Sequence, residues 1–134
     1  MVLRRLLGRI PPKQDSRAVG ITGEEEAARL LKRGGFRVIE KNFRTRAGEI
    51  DIIALDGDTV VFVEVKTRSG DSFGLPKDAV GALKQRRILS AARAYLAANP
   101  RLKDSPVRFD VIGIFMAGAS PVAEHIKDAF DAGE

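Results

Sequence analysis

A chain of 134 residues, 44% of them hydrophobic, holds enough apolar material for one core and too little for two domains of ordinary size. It contains no cysteine, which excludes a disulfide framework, thiolate metal ligation and cysteine nucleophile chemistry. The formal charge is +5 with a single histidine, so the class of partner depends on where the cations lie.

The cations are gathered into two segments. Residues 1–17 carry Arg4, Arg5, Arg9, Lys13 and Arg17 against Asp15, and residues 83–108 carry Lys84, Arg86, Arg87, Arg93, Arg101, Lys103 and Arg108 against Asp104. The last 26 residues are net acidic. Such gathering suits a polyanion, because phosphate contacts supply most non-specific nucleic-acid affinity; a solvated helix face with a loose tail is the plainer alternative. Residues 1–17 show no sustained period and are broken by Pro11 and Pro12, so a basic flexible tail is expected there, with a single domain over 18–134. The opening MVLRRLLGRIPP lacks the apolar run and small-residue cleavage site of a signal peptide. No stretch approaches the roughly 20 apolar residues that a membrane span needs, and a cytoplasmic location is expected.

Thr22, with Glu25 three residues on, fits a capping box and predicts a helix through EEEAARLLKR that Gly34 and Gly35 stop. FRVIEKNF alternates as a strand, and GEIDIIALDGDTVVFVEVKTR reads as two strands joined at Gly57-Asp58. A second helix is expected from Asp78 to Asn99, with Val80, Leu83, Leu89, Ala92 and Leu96 on its apolar side and Pro100 ending it. VRFDVIGIF is a further strand and VAEHIK a short edge strand. The predicted order is α-β-β-β-α-β-β.

The hairpin carries acids where apolar residues would be ordinary. Residues two apart share a face of a strand, so Asp51 extends the face of Ile53 and Leu55, and Glu64 that of Val60 and Phe62. A two-residue turn would oppose Leu55 to Val60, Ile53 to Phe62, Asp51 to Glu64 and Glu49 to Lys66. Carboxylates so opposed lie roughly 5 Å apart at Cβ. At an effective dielectric of about 20 that costs on the order of 3 kcal/mol. A divalent cation would offset the cost, and Mg²⁺ takes hard oxygen ligands of this kind. Lys66, two residues beyond Glu64, points into the same site; alternatively it pairs with Glu49 or Glu64 on a solvated strand end. Glu24 heads the stripe of Ala27, Ala28 and Leu31 and so points inward, as a functional acid or as one favoured by the helix dipole. His125 lacks the partners of a histidine cluster, and a structural role is expected for it. Asp110 either lines the same cleft or pairs beside Arg108. Tyr95 and the phenylalanines fall on apolar spacing and are expected in the core.

Several of these residues together carry a resemblance. Gly23-Glu24-x-x-Ala27, Asn42, Gly48-Glu49-Ile50-Asp51, VFVEVKTR, Phe73-Gly74, Lys84 and RFDV at 108–111 resemble the bacterial YraN family over roughly residues 19–130. That family is similar to archaeal Holliday-junction resolvases and, more broadly, to restriction-endonuclease-like PD-(D/E)XK nucleases, although Ile50 stands where the motif has proline. The resemblance implies an α/β fold, a mixed central sheet flanked by helices, and a Mg²⁺- or Mn²⁺-dependent endonuclease acting on branched or otherwise structured DNA rather than RNA. Asp51 and Glu64 would be the metal ligands, Lys66 the catalytic lysine and Glu24 the supporting acid. Arg44, Arg46, Arg68, Lys84 and Arg87 would contact phosphates, and a homodimer is expected by analogy. The alternative is a nuclease-like module that binds nucleic acid without cutting.

Overall fold

The computed structural model describes residues 16–68, 75, 79–115 and 120–131, with side chains from residue 23 onward. Residues 1–15 of the expected tail, Phe73-Gly74 and Asp78 lie outside the described residues. Among the described residues two α-helices and five strands, with a 3-10 turn at Pro100–Leu102, follow in the order α1 (Ser16–Arg33), β1 (Arg37–Arg44), β2 (Glu49–Asp56), β3 (Thr59–Arg68), α2 (Ala82–Ala98), β4 (Val107–Phe115) and β5 (Val122–Ile126). The strands lie in sequence order in one sheet. Only β3 and β4 run parallel, linked by the crossover that contains α2; the other pairs are antiparallel.

Each face of the sheet is covered by one helix. Ala27, Ala28 and Leu31 of α1 pack on Ile52, Ala54, Val61, Val63, Ile112 and Ile114. On the other face Ile88, Ala91, Ala92 and Tyr95 of α2 pack on Ile53, Val60, Phe62, Phe109 and Val111. Burial on both faces explains why β3 reads as the unbroken run Val60-Val61-Phe62-Val63. Tyr95, Phe36, Phe62, Phe109 and Phe115 are buried as expected, and Phe43 and Phe130 pack partly buried against the core: Tyr95 meets Phe43 edge-on with ring centroids 5.2 Å apart, and Phe62 stacks on Phe109 at 5.6 Å.

Three expectations need correction. Thr22 lies inside α1, which begins at Ser16, so the Thr22–Glu25 pair is no cap. Burial of the Ala27-Ala28-Leu31 face, and not a local capping signal, sets the helix, and Gly20 in its interior costs only about 1 kcal/mol. Of the predicted apolar side of α2, Val80 and Ala92 are buried and Leu89 and Leu96 pack partly buried on the core beside Ile88, Ala91 and Tyr95, but Leu83 is 59% exposed. The helix starts at Ala82 behind an uncapped Gly81, and that end carries Leu83 clear of the sheet. The β2–β3 register is the predicted one from Asp56↔Thr59 to Ile52↔Val63 and stops there. Neither Asp51–Glu64 nor Glu49–Lys66 is a ladder pair: β2 continues on β1 and β3 on β4, each by its other edge, while the edges that faced one another part.

Candidate active site

The point where β2 and β3 part is where the two acids meet. The next bond of that ladder would run from the Val65 N–H toward Ile50. Instead Val65 N–H donates to Asp51 Oδ2 at 2.8 Å, so a side chain takes the place of a backbone acceptor and holds the fork open. Ile50 packs in the same core as Ile53, three residues away, which shows that strict alternation fails beside Asp51.

Glu64, 7% exposed, shares a side-chain hydrogen bond with Asp51. Burial pushes the Glu64 carboxyl up, and the neighbouring Asp51 charge pushes it further, to about 7. Burial raises Asp51 too, against the opposing pull of the Val65 N–H and the Glu64 hydrogen bond. Glu64 is thus the partner whose carboxyl is pushed furthest toward its neutral form, beside an Asp51 carboxyl that accepts the Val65 N–H. Two ammonium groups reach the same oxygen: Lys66 Nζ stands 3.9 Å and Lys84 Nζ 3.7 Å from Glu64 Oε2. Lys66 thus lies beside Glu64, while Glu49 pairs instead with Arg44 at 3.4 Å.

Glu24 comes to the site from α1. Burial raises its pKa, as do the charges of Asp51 and Glu49, while Arg44 and a hydrogen bond with the Asn42 side chain act in the opposite sense. Asn42 adopts φ 54°, a left-handed conformation that asparagine tolerates better than most residues. It lies between the register pairs Lys41↔Ile52 and Phe43↔Ile50, beside Asp51. Sequence reasoning gave Asn42 only a place in the motif; its backbone conformation is a tertiary signal. Both glycines that precede these acids are sites of close approach. A Cβ on Gly48 would run into the Arg87 backbone of α2, and one on Gly23 into the Thr67 hydroxyl of β3.

A shallow cleft of about 310 Å³ adjoins the pair, lined by Arg44, Thr45, Arg46, Gly48, Glu49, Lys84 and Arg87. Four of the five predicted phosphate-contacting cations meet there. Arg68 is exposed at the end of β3 and is not among the lining residues. The turn below the cleft is fixed by Thr45 Oγ1, which accepts the N–H groups of Ala47 and Gly48.

Asp110 belongs to a different centre. Its fully buried carboxylate receives Arg108 Nε and Nη2 at 2.9 and 3.0 Å, His125 Nε2 at 2.8 Å and the Asp128 N–H at 3.0 Å. Arg108 also donates to Asp56 at 3.0 Å. Burial pushes this carboxyl up, but the hydrogen bonds from His125, Arg108 and Asp128 outweigh it and hold Asp110 below the usual carboxylate range. Asp110 is not among the residues lining the cleft; it pairs with Arg108 itself, and His125, for which a helper or structural role is the expectation, lies against the same carboxylate.

The two carboxyls at the fork offer hard, desolvated oxygen donors whose ammonium neighbours on Glu64 stand at 3.7 and 3.9 Å, and oxygen donors of this kind are what Mg²⁺ or Mn²⁺ accepts. Among the described residues no group of three or more histidine, aspartate or glutamate side chains is gathered to hold a metal, so the fit is that of a pair whose remaining ligands are water and substrate. No described helix is long and apolar enough to cross a membrane.

Fold and site together define a mixed α/β protein with a paired-carboxylate centre at a sheet fork. Residues 23–114 match the family model described as "Uncharacterised protein family UPF0102", and the chain belongs to that family, the YraN proteins of the resemblance above. A UPF0102 protein of Geotalea daltonii is 51% identical over 120 residues, covering 89% of this chain and 94% of the relative. One of Geobacter metallireducens is 47% identical over 116 residues, with 87% and 94% covered. One of Rhodococcus opacus is 48% identical over 114 residues, with 84% and 96% covered.

Proposed function

We propose that this chain hydrolyses nucleic-acid phosphodiester bonds as a metal-dependent endonuclease of the restriction-endonuclease-like PD-(D/E)XK type, acting on branched or otherwise structured DNA. One observation carries the reading. Asp51 and Glu64 are brought into hydrogen-bond contact in a desolvated place with no guanidinium to neutralise them, beside a cleft lined by cations. Asp110 is held by a guanidinium fork at 2.9 and 3.0 Å, whereas Glu64 has only ammonium groups at 3.7 and 3.9 Å, an arrangement that leaves room for a divalent cation on the two carboxyls.

In this reading Asp51 and Glu64 hold Mg²⁺ or Mn²⁺, which when bound polarises the phosphoryl oxygen. Lys66, at the solvent side of Glu64, positions the attacking water and offers its ammonium to the oxygens on which charge develops. Glu24 supports the site from α1 through Asn42. Arg44, Arg46, Lys84 and Arg87, with Arg68 at the flank, take up the phosphates on either side, fixing the register of the strand without reading its sequence. A homodimer in the cytoplasm accords with a junction that presents two symmetric cuts.

The test is cleavage of single-stranded, duplex, flapped and four-way DNA with Mg²⁺. Asp51→Ala or Lys66→Ala is expected to abolish cutting while leaving binding nearly intact; undiminished cutting by both variants refutes the assignment. The absence of a third metal-capable acid among the described residues favours, as a second reading, a module that binds nucleic acid without cutting. That reading expects salt-sensitive binding indifferent to Mg²⁺ and to EDTA.

A further inference from the structure

Lys84 touches both halves of the site. It stands on α2, its side chain 33% exposed, with Nζ 3.7 Å from Glu64 Oε2, and it also lines the cleft with Arg44, Arg46 and Arg87. The cleft is partly neutralised by its own Glu49, which pairs with Arg44, while among the described residues Arg46 and Arg87 form no ion pair with a carboxylate. Glu64, for its part, has two lysines on one oxygen, Lys66 and Lys84. A divalent cation entering between Asp51 and Glu64 adds positive charge beside an oxygen that two ammonium groups already approach. The ammonium with somewhere else to go is Lys84, because a phosphate in the cleft offers it a replacement anion.

We infer that Lys84 is a positioning residue that passes between Glu64 and a phosphate of the substrate strand, so that divalent-cation binding at the carboxylate pair and nucleic-acid binding in the cleft strengthen each other. The inference rests on the metal-site reading above and adds to it a coupling between two subsites. Coupling of this kind is reciprocal and usually amounts to about 5–150-fold in affinity. It has a second signature: on single-stranded nucleic acid each added phosphate contact steepens the salt dependence of log K by about 0.7.

The experiment uses the full chain and a short fluorescent single-stranded oligonucleotide, titrated with Ca²⁺, an oxygen-seeking cation, and separately with EDTA, over a range of salt. For the wild type, Ca²⁺ is expected to tighten binding about tenfold, within the range usual for coupled sites. It should also steepen the salt slope by about 0.7. Lys84→Gln, whatever its own affinity in EDTA, should lose both responses. Glu64→Gln, which frees Lys84 without any cation, should bind in EDTA as tightly as the wild type does in Ca²⁺, and the double variant Glu64→Gln/Lys84→Gln should lose that gain. A full Ca²⁺ response in Lys84→Gln, a gain that survives in the double variant, or a wild type indifferent to Ca²⁺ overturns the coupling. Cleavage of the substrates above without the coupling overturns this inference alone. Coupling without cleavage supports it and overturns the nuclease reading.

Discussion

Asp110 and the Asp51–Glu64 pair are acidic centres on neighbouring strands, and they are neutralised in opposite ways. Asp110 is met by a guanidinium fork, an imidazole and a backbone N–H, all within 3.0 Å, and its carboxyl is held below the ordinary range. Glu64 has two ammonium groups no nearer than 3.7 Å and a second carboxyl against it, and its pKa is pushed up to about 7. Burial acts in the same direction on both; the difference lies in how many donors the fold has set in place. A saturated centre holds two strands and the following turn together. An undersaturated one has room for a cation and a substrate.

The comparison can be broken first at its structural end. Asp110→Ala should destabilise the protein by about 3–5 kcal/mol, since it strands the Arg108 guanidinium that is also tied to Asp56. Urea unfolding measures this, and the thermal response to Mg²⁺ should be unchanged. A loss under about 1 kcal/mol would place Asp110 among surface ion pairs instead.

A pH series sharpens the contrast because the signs differ. Glu64 binds its proton more tightly folded than unfolded, so its contribution is fully present below about pH 4.5 and is lost as pH rises through about 7. The loss is on the order of 3 kcal/mol. Asp110 is depressed, so its contribution is present above the ordinary aspartate pKa and is lost as pH falls below it. Metal-free wild type should therefore lose stability between pH 5 and 8, and Glu64→Gln should flatten that slope. Mg²⁺ should offset it by binding the ionised pair. A Glu64→Gln slope identical to wild type would mean that Glu64 does not carry the proton.

The smallest effect concerns how the two helices reach the fork. Gly48→Ala drives a methyl group into the Arg87 backbone and should cost about 1–3 kcal/mol. Gly23→Ala meets only the Thr67 side chain, which can rotate, and should cost less. Reversal of that order in thermal melts would show that α1, and not α2, is the tighter constraint.

Much of this was legible in the chain. The β2–β3 register as far as Ile52↔Val63 follows from the turn and from the two-residue period, and the choice of Asp51, Glu64, Lys66 and Glu24 from acids and lysine on inward faces. The cations of the cleft were legible as residues, though not as a group, since Arg44 and Arg46 come from the β1–β2 turn and Lys84 and Arg87 from α2. The start of α1, the exposure of Leu83 and the partners of Asp110 were not legible, because each is set by packing or hydrogen bonding between segments distant in the chain.

What the sequence determined by itself is a set of periods and a set of chemically suitable side chains: apolar strands, two amphipathic helices and acids interrupting a hairpin. Only the tertiary structure decided that the hairpin forks. Beyond Ile52↔Val63 the β2–β3 ladder stops, although β2 stays paired with β1 and β3 with β4 on their other edges, and the Asp51 carboxylate takes the Val65 N–H. Local pairing rules favour a continued ladder at that point. The Val65 N–H still finds an acceptor, but it is a side chain brought there by the tertiary structure, and the carboxylate pair sits in the gap that results.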